Sequence, residues 1–402
     1  MFRNYRVMPI VVILLACSLV AGIIVYSLSN AKSTKAKAPE PQKTVVTAAD
    51  SPVTPTKNIK VSVQNKDRTA VSLAHDLAFK SRNMTPDEVA KLEKEFEENP
   101  DNLDVAAQLL GFYSGERFKN PEVSKKREKL ISSLIGRHPD AAILGLPYGQ
   151  LLPGMDNCAE ANKLWAQQVE NNPKNTTIIM NAAAAALLPD KALAEKYLLQ
   201  AQALEPDSPE ISLKLAQVYQ HSRMNPNASD KDKNELAAKE LAELTKVYSN
   251  SDSKNQNAIL PAMTKAALES PGNLDLADRN ADLMISQART AKEWDAGKLF
   301  YYGYYTKGMV AFKNGDTNKA VEFLLKSAET PASSTFDALN ASGGPNMSLA
   351  KALLEAGYKD EVIEFLGKCG RFWKYSERGR LGKWTAEIKA GKTPDFGANL
   401  AF

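Results

Sequence analysis

Cysteine and histidine are nearly missing from this chain. Three cysteines (Cys17, Cys158, Cys369) and three histidines (His75, His138, His221) are spread over 402 residues. Cys17 lies inside an apolar N-terminal run, so Cys158 and Cys369, 211 positions apart, are the one pair left to consider. This excludes a disulfide framework or a Cys-x-x-Cys site. The histidines share no short spacing, so zinc has no ligand set and no metal or other cofactor is expected. Also missing are a Gly-x-x-x-x-Gly-Lys-Ser/Thr loop, a Gly-x-Ser-x-Gly elbow and a His-Glu-x-x-His helix. Acid–base work would fall to carboxylates on solvated helix surfaces, which suits catalysis poorly. The formal net charge of +4 is too small to argue for nucleic acid. No catalytic residue is therefore expected, and the chain reads as a non-enzyme.

Charge is uneven along the chain. Arg3 and Arg6 contribute +2, residues 31–68 contribute +5 and residues 368–402 another +5, leaving −8 for the rest. An acidic middle thus lies between basic ends. From Val7 to Ala31 no side chain is charged, and Met8 to Tyr26 is nearly all apolar. About 20 apolar residues span a bilayer, whereas a cleavable signal core is shorter. Residues 1–30 are expected to form a signal-anchor helix. Two alternatives stay open: cleavage near Ser29-Asn30-Ala31, and a lipoprotein signal at Leu14-Leu15-Ala16-Cys17-Ser18. A six-residue tail with two arginines favours a cytoplasmic N-terminus and a periplasmic body on the inner membrane. Residues 31–68, with Pro39, Pro41, Pro52 and Pro55 among Lys, Thr, Ala and Val, read as a flexible linker.

Beyond about Ala70 helical periodicity dominates and strand-like alternation is almost absent. Helix stops recur around Pro100, Pro139, Pro173 and Pro206, spaced 39, 34 and 33 residues apart. Small residues recur where two antiparallel helices would cross. Tyr148-Gly149, Ala161, Trp165 and Pro173 follow one order, and Asn181-Ala182, Ala194, Leu198, Ala201 and Pro206 repeat it. Leu215-Ala216, Tyr219, Ala237, Leu241 and Leu244 repeat it with an insertion at Asn225–Asp232. The best copy is Gly308, Ala311, Gly315, Ala320, Leu324 and Ala328, with Gly315-Asp316 as its turn; Leu349-Ala350, Leu353, Gly357, Val362, Leu366 and Cys369 form another. Weaker copies cover Leu110-Gly111 to Pro139 and Ala258 to about Ala291. A period near 34 closed by proline resembles the tetratricopeptide repeat family over about residues 85–370. The first strong position, usually Trp in that family, is not Trp in any copy here.

The resemblance implies an all-α fold, a right-handed α-solenoid of about seven helix pairs over residues 69–375. A C-terminal capping helix and tail are expected over residues 376–402, with Leu381, Trp384 and Ile388 on one stripe. The family's groove-facing spacing, carried onto this chain, implies a concave binding surface. It is lined by Tyr302, Tyr305, Met309 and Phe312 in the best copy, by Phe112, Gln150, Gln217 and Gln220 earlier, and by Met347 and Lys351 in the last. Aromatic anchors beside amides suit a bound peptide or protein segment. Cys158 and Cys369 read as structural, and Ala341–Pro345 as a loop between repeats. The implied function is an envelope-tethered scaffold or assembly factor for a protein partner. Alternatives are a lipoprotein or accessory subunit of a secretion, pilus or outer-membrane biogenesis complex, and an accessory subunit or hydrolase on a helical scaffold.

Overall fold

A computed structural model describes residues 62–400, except 156, 226, 291–292, 331–343 and 374–378. Every regular element among the described residues is helical. The first helices are α1 (Ser62–Lys80), α2 (Pro86–Glu98), α3 (Leu103–Glu116), α4 (Pro121–Arg137), α5 (Cys158–Asn171), α6 (Thr176–Ala186), α7 (Lys191–Leu204) and α8 (Pro209–Arg223). They are followed by α9 (Asp230–Ser249), α10 (Ser253–Glu269), α11 (Leu274–Ala288), α12 (Glu293–Lys313), α13 (Thr317–Ser327), α14 (Ser348–Glu355), α15 (Lys359–Cys369) and α16 (Arg380–Lys389). The described chain divides into two compact units, up to Ile211 and from Ser212 onward. The expected anchor at 1–30 and most of the linker lie outside the described residues, and α1 begins seven residues before the expected start of the body at 69. Among the described residues no helix is long and apolar enough to cross a membrane.

Helix boundaries follow from local chemistry. Thr85 and Ser229 start α2 and α9 with reciprocal capping boxes to Glu88 and Asp232. Asn102, Asn175, Asp190, Asp252 and Asp316 each accept a backbone N–H from the first turn of α3, α6, α7, α10 and α13. Such caps satisfy donors that the first turn leaves open, at about 1 kcal/mol each. The turns Gly315 (φ 82°) and Gly357 (φ 98°) separate α12 from α13 and α14 from α15, in a left-handed backbone that other residues resist.

Within the first unit α3 is central, packing on α1, α2 and α4. A Cβ on Gly111 would lie 2.1 Å from the Ala78 carbonyl oxygen, so α1 and α3 touch backbone to backbone. Tyr113 Oη, from α3, donates to Glu93 of α2 at 2.6 Å, and Lys126 of α4 reaches the same carboxylate at 2.8 Å. Burial pushes Glu93 up, but hydrogen bonds from Lys126 and Tyr113 outweigh it and hold the carboxyl below its usual range.

One expected helix is not there. The copy beginning at Tyr148-Gly149 should open with a helix, yet residues 142–149 form only two short 3₁₀ turns, Ala142–Gly145 and Pro147–Gly149. Pro147 and Pro153 with Gly145, Gly149 and Gly154 are incompatible with a stable helix interior. Carbonyls left without helical partners are met by side chains. Arg127 of α4 donates to Tyr148 O at 2.9 Å and Gln150 O at 2.5 Å, and Asn181 of α6 donates to Pro139 O and Ala141 O.

In the second unit α12 packs on α10, α11, α13 and α14. A Cβ at Gly303 would meet Ile285 at 2.6 Å and the Ala281 carbonyl at 3.1 Å. One at Gly308 would meet Leu349 at 2.4 Å and the Ala320 carbonyl at 3.3 Å, so the expected crossing with the helix of Ala320 and Leu324 is present. Arg223, nearly buried on α8, donates to Glu240 of α9 at 2.7 Å and pairs with Glu269 of α10. At the C-terminal end α16 covers α15 with Trp384 and Ile388 buried. The tail then folds back: Trp384 Nε1 donates to Asp395 O, Met347 N to Asn399 O, and Asn399 Nδ2 to Pro345 O.

Gly111→Ala should destabilise the protein by about 1–3 kcal/mol through overpacking. Gly136→Ala, where a Cβ meets nothing within 4 Å, should be neutral or stabilising; paired thermal melts check the contrast. Because the folded Glu93 carboxyl is depressed, its contribution is present above the unfolded carboxylate pKa and lost as pH falls through the lower folded value. Wild type should therefore exceed Glu93→Gln in stability at pH 7. The gap should close on acidification below about pH 4.3, as urea midpoints across pH will test.

Candidate functional site

The residues expected to line a groove in the second unit are set by α12, the longest described helix at 21 residues. Its tyrosines occupy two environments. Tyr301 is fully buried, with its hydroxyl donating to Asn346 O at 2.7 Å. Tyr305 is 8% exposed, stacks on Tyr301 at 6.1 Å and belongs to the core. Tyr302 is half-buried and meets both rings edge-on. Burial pushes its hydroxyl up to about 12. Tyr304 is half-buried between Phe300 and Phe323, with the Lys326 ammonium 5.4 Å from its ring.

This corrects the expected anchor stripe. Tyr305 does not face an open groove, and Met347, with no exposed surface, does not either. The reason is coverage: α12 has neighbours on several sides, and Ser348 at the start of α14 hydrogen-bonds the Tyr305 hydroxyl. Met309 and Phe312 pack against the same core while staying partly exposed. Gln217 and Gln220 are half-buried on α8, and Lys351 on α14 is ion-paired with Glu355 at 2.5 Å. In the first unit Phe112 is half-buried edge-on to Tyr113. Gln150 contributes its carbonyl to Arg127, a structural contact made by its backbone.

A cluster that sequence reasoning missed lies in the first unit, where the end of α1, the 3₁₀ turn Ser81–Asn83 and the end of α3 meet. The Arg82 backbone carbonyl lies 3.6 Å from where a Cβ on Gly115 would stand. Arg82 also lies 5.8 Å from the Phe79 ring centroid, and Arg117 lies 4.4 Å from that of Phe118. Ser114 joins the next layer: its carbonyl accepts from Arg117 and its hydroxyl from Arg127 Nε at 3.3 Å. Three guanidiniums thus stand at increasing depth, with Arg82 exposed, Arg117 half-buried and Arg127 at 1% exposure. Burial, and after it the charge of Arg117, lowers Arg127 to about 9, against the pull of Glu128. Arg117 is lowered in the same way by burial and by Arg82. The signal available in the sequence was Phe79 three residues before Arg82 and Arg117 beside Phe118, both at helix ends.

Reactive chemistry finds little support in the thiols. Both Cys158 and Cys369 are free, and both are pushed up by burial, Cys158 further by Glu128, which opposes thiolate formation. Among the described residues no group of His, Cys, Asp and Glu could hold a metal ion. An open depression of about 430 Å³ lies between α15 and α16, lined by Leu366, Gly367, Gly370, Leu381, Thr385 and Lys389. Lys389 is the one titratable side chain in its lining. No protein-family model matches the chain, and no curated protein matches it significantly.

Tyr305→Ala should behave as a core truncation, costing about 3–5 kcal/mol, comparable to the loss from Leu324→Ala. Thermal melts of the two variants should show similar drops; a Tyr305 variant melting like wild type would return the ring to the surface.

Proposed function

We propose that this chain is a membrane-tethered helical-repeat protein that binds another protein and carries out no reaction itself. The observation that carries the reading is the Gly308–Ala320 crossing of α12 and α13 with its Gly315 turn, the geometry expected of a tetratricopeptide-like hairpin. Both helices of the pairs α3–α4, α6–α7, α8–α9, α10–α11, α12–α13 and α14–α15 occur where repeat copies were read in the sequence. Stacking such hairpins gives an α-solenoid, whose extended surface suits partner binding. The half-exposed Gln217, Gln220, Tyr302, Met309, Phe312 and Lys351 form its partner-facing set in the second unit, and α16 with the tail caps the last hairpin. An apolar run from Met8 to Tyr26 and a proline-rich linker support a tether, with the body on the periplasmic face of the inner membrane.

Two measurements test this. The full chain should resist alkaline extraction from membranes, a variant lacking residues 1–30 should become soluble, and Cys17→Ser should remain in the membrane. Release of Cys17→Ser would assign a lipoprotein anchor instead. Cross-linking in intact cells should then join the full chain to a specific protein, and Met309→Ala with Phe312→Ala should weaken that adduct. A chain that yields no adduct would remove the binding role.

A further inference from the structure

Arg82 and Arg117 have no carboxylate partner among the described residues, although the ion pairs around them are complete. Glu93 is taken by Lys126 and Tyr113, Glu116 by Lys119, and Glu122 by Lys125. Glu128, the one buried carboxylate of the cluster, accepts from Ser124 Oγ and from the Asn157 backbone N–H. Three guanidiniums against this single buried acid leave a surplus of two positive charges. Arg117 Nε is removed from solvent and has no hydrogen-bond partner at all. A buried guanidinium donor left open beside two like charges costs free energy unless an anion completes the site.

Among the described residues, the rings beside the two arginines are uncovered. Phe79 is 55% exposed and Phe118 66%, and Val71 and Leu73 on α1 are exposed as well. These four are most of the large exposed apolar residues among those described, and all lie on α1 or just beyond α3. Rings flanking a guanidinium keep its charge accessible while holding its plane, which suits a planar oxyanion approaching between them.

We propose that Phe79, Arg82, Arg117 and Phe118 form a docking site for an acidic–apolar peptide segment of a protein partner, a carboxylate side chain seating between the guanidiniums. This deepens the binding reading above and rests on it. Charge complementarity selects the occupant. The chain's own 31–61 segment, which precedes α1, carries +4 and would be repelled. A recessed guanidinium is reached more readily by a carboxylate on a flexible stem than by the plane of a bilayer, which exposed lysines meet better. The flanking phenylalanines supply the apolar contact that makes an aromatic–arginine cluster an energetic centre of an interface.

The test uses the full chain in phosphatidylcholine nanodiscs and a dye-labelled peptide, Asp-Glu-Leu-Phe, read by fluorescence anisotropy. Wild type should bind it with an affinity that falls as salt rises. The amide isostere Asn-Gln-Leu-Phe should bind at least about tenfold more weakly, and so should the acidic peptide to Arg82→Gln or Arg117→Gln. Arg117→Gln should also melt at or above the wild-type temperature, because it removes an uncompensated charge. Arg82→Gln, at an exposed position, serves if Arg117→Gln fails to fold. Equal binding of the two peptides, or no loss in Arg82→Gln, overturns the site. Loss of peptide binding when phosphatidylglycerol is added to the discs would show that anionic lipid is the occupant and would also overturn it. If the arginine variants keep the cross-linked partner at wild-type yield, this site falls and the binding role stands. Charge-dependent peptide binding by a chain with no cross-linked partner leaves the site standing and removes the broader reading.

Discussion

Close approach of paired helix backbones is the constraint on which both units depend. At Gly111 the α3 backbone meets Ala78 of α1 with no room for a Cβ, while at Gly303 and Gly308 α12 is approached by the side chains of Ile285 and Leu349 and by the Ala281 and Ala320 carbonyls. Helices that touch at such distances bring the larger residues beside the crossing into register, and Leu110 of α3 and Leu324 of α13 are fully buried. Dispersion contacts of this kind are small singly and large together, and they fall off within a fraction of an ångström. A wider crossing would lose them along the whole helix pair.

Where a helix is missing, polar side chains replace it. The stretch from Pro139 to Leu152 has no continuous helical ladder; Arg127 and Asn181 supply donors to the Pro139, Ala141, Tyr148 and Gln150 carbonyls, beside a few backbone turn bonds. Arg223, Glu240 and Glu269 serve a related purpose between α8, α9 and α10, where a buried charge finds two partners of opposite sign. The cost of desolvating an arginine is offset in both places by several directed hydrogen bonds. The Arg82–Arg117 pair differs because no described carboxylate reaches it. Arg117 is held only by the Ser114 carbonyl, so the charge of the pair stays uncompensated among the described residues.

The second unit ends in an aromatic cluster. Trp373 meets Trp384 at a tilt and Trp384 meets Phe396 edge-on, with centroids 5.9 Å and 5.0 Å apart. Tyr301 and Phe372 lie 6.3 Å apart nearby. The tail residues up to Leu400 close over α14 through backbone bonds involving Asn399. This cover buries Trp384, Ile388 and Phe396, which would otherwise be an apolar face of α16 and the tail.

Much of this architecture was legible in the chain before any coordinates. The turn at Gly315-Asp316, the small residues Gly308 and Ala320, and the Leu381–Trp384–Ile388 stripe act over a few residues, so local spacing determines helices, their ends and their crossings. Proline and glycine density around 145–154 carried the loss of one helix, although the repeat pattern overrode it in the reading. Which way a side chain faces was not legible, because a helix of period 3.6 presents every direction and only its neighbours decide which stay open. Tyr305 and Tyr302 differ by three residues, yet α14 buries the first while the second keeps part of its surface. The arginine–aromatic cluster is likewise a product of the tertiary structure. Phe79, Arg82, Arg117 and Phe118 are brought together only because Gly111 lets α1 and α3 meet, and no local pattern encodes that Arg117 is left without a counter-charge.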